Sequence, residues 1–138
     1  MTLDTSVLYD GLVDGPLSGH ARALLAADLI LRAPDLLNIE IAGAVTRAVR
    51  RQEIEPDAAE GLLARAQRIA PEVDPSARFI DRAFTLSLEL AHPLADCVFL
   101  AHAEARADVL VTSDARFARK VAASRHARSL VYLADWRP

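Results

Sequence analysis

Apolar residues recur along this chain in two alternating rhythms: short unbroken runs, and spacings of three and four. Met1 to Val7 is an apolar segment broken by Asp4, and Asp10-Gly11 with Asp14-Gly15-Pro16 then supplies turn chemistry, which predicts a first strand and a loop. From Ser18, placed to cap, to about Arg32, the residues Ala21, Leu24, Leu25 and Leu29 predict a helix that Pro34-Asp35 ends. Leu36-Leu37 is expected as a short second strand leading into a helix from Ile39 to Gln52, buried along Ile41, Val45, Ala48 and Val49. Pro56 suits the first position of a helix reaching Ile69, because its missing N–H would be unpaired there in any case. Pro71 and Pro75 bracket a connection with room for one strand. Ser76 to Leu90 reads as a helix. So does Pro93 to about Arg106, with Leu100, Ala103 and Ala107 following Asp96 on one side. Asp108 to Thr112 is the clearest strand, Ser113-Asp114 caps a helix over Ala115 to Ala123, and Ser129 to Leu133 closes the chain as a strand.

Strands separated by helices require right-handed crossovers and a parallel sheet covered on both faces. The expected fold class is therefore α/β, a three-layer α/β/α sandwich whose central, mainly parallel sheet has about four to five strands. A length of 138 residues fits one domain over residues 1–138, long enough to bury a core. Neither an internal repeat nor a low-complexity tract interrupts it.

Composition narrows the chemistry. With 52% hydrophobic and 25% charged residues, the balance is that of a folded globule. No apolar run approaches a membrane span and the first residues lack a signal-peptide pattern, so a cytoplasmic protein without a membrane is expected. Cys97 is the only cysteine, which rules out an internal disulfide and a thiolate metal cage. A net charge of −3 argues against coating nucleic acid by charge alone, although a local basic patch stays compatible with it.

Ligands of open parallel sheets gather beyond the carboxyl ends of the strands. Asp4 lies at the end of the first strand, Asp114 follows the strand ending at Thr112, and Glu40 sits in the first turn after Leu36-Leu37. Asp96 joins them from the first turn of the Pro93 helix if that helix starts at the same edge. Each acid alone has a structural explanation. Asp114 can cap its helix, Glu40 and Asp96 can serve a helix dipole, and Asp4 can form a turn. Four converging carboxylates, however, repel one another and call for a cation. Mg²⁺ or Mn²⁺ suits an all-oxygen donor set and leads to phosphodiester chemistry.

Three stretches carry a resemblance over nearly the whole chain: Leu3-Asp4-Thr5-Ser6-Val7-Leu8; Ala33-Pro34-Asp35-Leu36-Leu37 followed by Glu40; and His92-Pro93-Leu94-Ala95-Asp96 through Leu100-Ala101-His102-Ala103 to Leu110-Val111-Thr112-Ser113-Asp114. Together they resemble the PIN-domain ribonucleases, specifically the VapC-type toxins of bacterial type II toxin–antitoxin systems. The resemblance implies a PIN-like fold and a Mg²⁺-dependent endoribonuclease that hydrolyses RNA through metal-activated water. It makes Asp4, Glu40, Asp96 and Asp114 the ligands of one or two ions, Asp4 and Asp96 foremost, with Thr112 and Ser6 in the hydroxyl positions. It also implies a cognate VapB-type antitoxin and a homodimer. Many members carry a further acid two residues past the last aspartate, where this chain has Arg116.

The series Glu40, Ala44, Arg47 and Arg51 projects from one side of its predicted helix, so Arg47, Arg51 and Arg116 are candidate RNA contacts; the competing reading of the arginines is a solvated basic face. His92 precedes Pro93 near Asp96, while His20, His102 and His126 lack zinc-site spacing; all four are expected to be structural or exposed, and Cys97 a small buried hydrophobe. Two other functions stay open at this point. One is a receiver-like signalling domain built on Asp4, Thr112 and Lys120; the other is a non-catalytic metal- or RNA-binding domain in which the acids are separate caps.

Overall fold

The computed structural model describes residues 1–137. Its strands are β1 (Thr2–Leu3), β2 (Arg32–Pro34), β3 (Glu72–Asp74), β4 (Leu110–Thr112) and β5 (Leu130–Tyr132). Its helices are α1 (Thr5–Leu12), α2 (Ser18–Leu25), α3 (Leu36–Arg50), α4 (Pro56–Ile69), α5 (Ile80–Leu90), α6 (Leu94–Ala105) and α7 (Ala115–Ala122). All strand pairs are parallel, in the order β3-β2-β1-β4-β5. Right-handed crossovers then place α1–α4 on one face and α5–α7 on the other, which is the three-layer α/β/α arrangement. A receiver domain orders its strands 2-1-3-4-5, so this sheet excludes that reading.

The largest departures from expectation lie at the start of the chain. β1 is two residues long, and the segment expected to continue it and then turn is helix α1. Val7, Leu8 and Leu12 of α1 are buried at spacings of one and four, and a helix is the way to bury them together. Gly11 is therefore helical, and a Cβ there would collide with Leu25 of α2. Helix α2 stops at Leu25 because Arg32–Pro34 is itself the second strand, paired with β1 and β3. Leu36-Leu37, expected as that strand, opens α3 instead, so Glu40 stands in the second turn of α3 rather than the first. The 76–90 helix begins as a 3-10 turn at Ser76–Phe79, and Ala107 lies past the end of α6 in left-handed backbone, outside the stripe expected to include it.

Helix α6 is the buried centre of the molecule, with Cys97 through Ala103 almost wholly covered. Burial pushes the Cys97 thiol up to about 11, as suits a small hydrophobe. His102 is sealed in the core between Thr2 Oγ1 at 2.8 Å and Asp74 Oδ2 at 3.1 Å. His126 bridges Glu104 at 2.7 Å and Glu89 at 2.9 Å, while His20 is exposed. These three are the structural and solvent-facing histidines the spacing predicts. Among the described residues no single helix is long and apolar enough to cross a membrane.

Candidate metal centre

The chain leaves β1 for β2 and β3 on one side and returns to β4 and β5 on the other, so the switch in direction falls between β1 and β4. Crevices at such points, beyond the carboxyl ends of the strands, are where α/β sheets bind ligands. Asp4 follows β1 and Asp114 follows β4; the register Leu3↔Val111 and the bond from Asp4 N to Val111 O at 3.1 Å bring them to the same edge. Asp96 enters from the first turn of α6 and Glu40 from α3. All four line one cleft of about 380 Å³, together with Thr5, Ser6, Tyr9, Arg47 and Arg51.

One oxygen of each carboxylate is held by the protein. Asp4 Oδ2 accepts from Ser6 Oγ at 2.8 Å and from Thr112 Oγ1, while Thr112 Oγ1 in turn accepts from Asp114 N at 3.0 Å. Glu40 Oε2 accepts from Thr5 Oγ1 at 2.8 Å. Asp96 Oδ2 is bonded to His92 Nε2 at 2.7 Å. Asp114 Oδ1 caps α7 by accepting from Arg116 N at 2.7 Å and Phe117 N at 3.0 Å. The second oxygen of each acid has no hydrogen-bond partner among the described residues, and no Lys or Arg pairs with any of the four within 4.0 Å.

Burial penalises this charge. It holds Asp4, Glu40 and Asp96 above the ordinary carboxylate range, and the acids reinforce the shift in one another: Asp96 acts on Asp4, Asp4 and Asp96 on Glu40, and Asp114 on Asp96. A buried carboxylate and three half-buried ones, each with a free oxygen, are the donor set a hard divalent cation requires. Asp96 and Asp114 also stand with His92 in a group whose ligand atoms all lie within 4.8 Å. The residues present therefore fit such an ion.

Asp114 does cap its helix, as the local explanation has it, but the bond uses only Oδ1. Asp4 occupies the N-cap position of α1 and makes no side-chain cap bond. Thr112 is fully buried beneath Asp4 and lies outside the cleft lining, so it orders the acid from below. Arg47 and Arg51 border the cleft, Arg51 also lying 4.0 Å from Glu53. Arg116 is exposed and does not line it. Two residues of the neighbourhood escaped the sequence reading. Tyr9 was assigned to a strand-and-loop segment and is instead a helical residue facing the cleft. His92 was expected to be merely structural or exposed; it touches Asp96, and the four-residue step between them was the available signal.

Comparison with curated proteins gives no significant match. The model of one family, described as PIN domain, matches residues 1–122 and so takes in all four acids and every strand except β5. The chain belongs to the PIN domain family, whose members are in general metal-dependent nucleases.

Proposed function

We propose that this protein is a Mg²⁺- or Mn²⁺-dependent endoribonuclease that acts as the VapC-type toxin of a type II toxin–antitoxin pair. The observation that carries the nuclease reading is the set of four carboxylates at one strand edge, each with one oxygen fixed and one free. An ion held by Asp4, Glu40, Asp96 and Asp114 would supply Lewis acidity, activating water at neutral pH and offsetting the charge that grows on the phosphate during in-line cleavage. The protein's own residues set the geometry. Ser6 and Thr112 fix Asp4, Thr5 fixes Glu40, and the first N–H groups of α7 fix Asp114, so little reorganisation remains for the reacting state. Arg47 and Arg51 border the acids where an RNA backbone would pass, offering guanidinium forks to phosphates.

A homodimer draws support from Ile80, Phe84 and Leu88, an exposed apolar stripe at four-residue steps along α5. The VapB-type antitoxin comes from the resemblance.

The test is RNA cleavage by purified protein, with sites mapped in total RNA after induced expression. Asp4→Asn and Asp96→Asn keep the shapes of the side chains and are expected to lower cleavage by about a hundredfold or more while the fold persists. Growth arrest on expression should vanish in the same variants. Equal cleavage by wild type and both variants, in EDTA as well as in magnesium, overturns the proposal.

A further inference from the structure

We propose that His92 is the positioning residue of Asp96, and that its ring ties the two aspartates of α6 and α7 into one unit. This rests on the reading of Asp96 as a metal ligand. His92 is buried, and its Nε2 lies 2.7 Å from Asp96 Oδ2, which leaves Oδ1 as the free oxygen of that acid. Its Nδ1 is buried with no partner. A proton on Nδ1 would be a donor stranded away from water, whereas a proton on Nε2 is used. The ring is therefore the Nε2–H tautomer, donating to Asp96.

The ring is held by stacking and the residue by its backbone. It stacks on Phe117 with centroids 4.3 Å apart and planes 10° from parallel. Phe117 is the residue whose N–H binds Asp114 Oδ1 at 3.0 Å, so one stack joins the support of Asp96 to the support of Asp114. The backbone of His92 is clamped at both ends, its N–H to Ser87 O at 3.2 Å and its C=O to Ser87 Oγ at 2.6 Å. Lys120 of α7 donates to the C=O of Ala91, the residue before it. A carboxylate without this donor would rotate and present both oxygens, and its distance from Asp114 would no longer be set. Outer partners of this kind hold ligating groups in orientation and are worth about ten- to a hundredfold in metal affinity.

The test is calorimetric titration of the metal-free full chain with MnCl₂, its folding checked by circular dichroism. His92→Phe keeps an aromatic ring for the stack and removes the donor. His92→Asn ends too short to reach Asp96, and His92→Gln places an amide N–H near the position of Nε2. Mn²⁺ affinity is expected to fall by about tenfold or more in the Phe and Asn variants and to stay within about threefold of wild type in the Gln variant. Should the Phe variant fail to fold, the Asn and Gln pair decides alone. Wild-type affinity in the Asn variant, or a Gln variant as weak as the Asn one, overturns the proposal while leaving the metal site in place. A wild-type protein that binds no Mn²⁺ overturns the metal reading and this inference with it.

Discussion

The acidic cleft and the polar network that joins α5 and α6 to β3 and to the segment after α7 are built from the same kinds of residue and have opposite fates. In the network, Asp74 meets His102 at 3.1 Å and Arg106 at 2.9 Å. Glu104 meets Arg82 at 2.8 Å and His126 at 2.7 Å, and Glu89 meets Arg125 at 2.6 Å and His126 at 2.9 Å. Every acid there is paired with an arginine. The His126 bond holds Glu89 below the ordinary carboxylate range. Asp74 is held below it by His102 and Arg106, against the opposing pull of burial. In the cleft, burial outweighs the hydroxyl bonds to Asp4 and Glu40 and the His92 ring beside Asp96, and all three acids stand above that range. Acidity alone marks neither region as a site. The mark is charge taken out of water and left without a Lys or Arg partner, which a fold tolerates when something outside the chain completes it.

Breaking the network should cost stability and spare chemistry. His102 is completely buried and holds both Thr2 and Asp74, so His102→Ala leaves a cavity, strands the buried Thr2 hydroxyl and leaves Asp74 with Arg106 alone. A loss of about 3 kcal/mol is expected in urea unfolding, with cleavage per folded molecule unchanged. A loss of activity at unchanged stability would erase the division between the two regions.

The cleft should respond to ions and to pH in the opposite sense from the network. For Asp4, Glu40 and Asp96 the native values are raised, so the folded state favours their protonated forms. Their contribution is present below the ordinary carboxylate range and is lost as pH rises through the raised native values. For Asp74 and Glu89 the native values are lowered, so their contribution is present above that range and is lost as pH falls through the native values. At neutral pH a divalent ion at a hundred times its dissociation constant should therefore stabilise the protein by about 2.7 kcal/mol. That gain should shrink in acid, and melting curves with magnesium or manganese against EDTA across the pH range measure it.

The smallest effects concern the rim. Arg47→Ala and Arg51→Ala should each weaken RNA binding severalfold and reduce the salt dependence by about 0.7 in log–log slope, the value for one phosphate contact on a single strand. Arg116→Ala should change neither, since that side chain lies outside the cleft lining. Titrations at several salt concentrations separate the three.

Much of the fold was legible because long amphipathic segments declare themselves. α4 runs from Pro56 to Ile69 as its proline and apolar spacing predict, and β4 and β5 fall inside the apolar runs assigned to them. The opening of the chain was not legible. Asp4-Thr5-Ser6-Val7 reads locally as strand and Asp10-Gly11 as turn, yet packing against α2 and α3 makes the segment a helix. The same holds for Leu36-Leu37, whose apolar pair serves a helix start as well as a strand; sheet pairing at Arg32–Pro34 decides between them.

From sequence alone came the four acids, their order along the chain and the oxygen-only chemistry they imply, since these depend on residue identity and on strands alternating with helices. Only the tertiary structure decided which oxygens of Asp4 and Glu40 are free, that Arg47 and Arg51 border the acids while Arg116 does not, and that the His92 ring behind Asp96 stacks on Phe117. Those facts depend on partners distant in the chain, Phe117 for His92 and Thr112 for Asp4, and no local pattern encodes a contact made across a sheet edge.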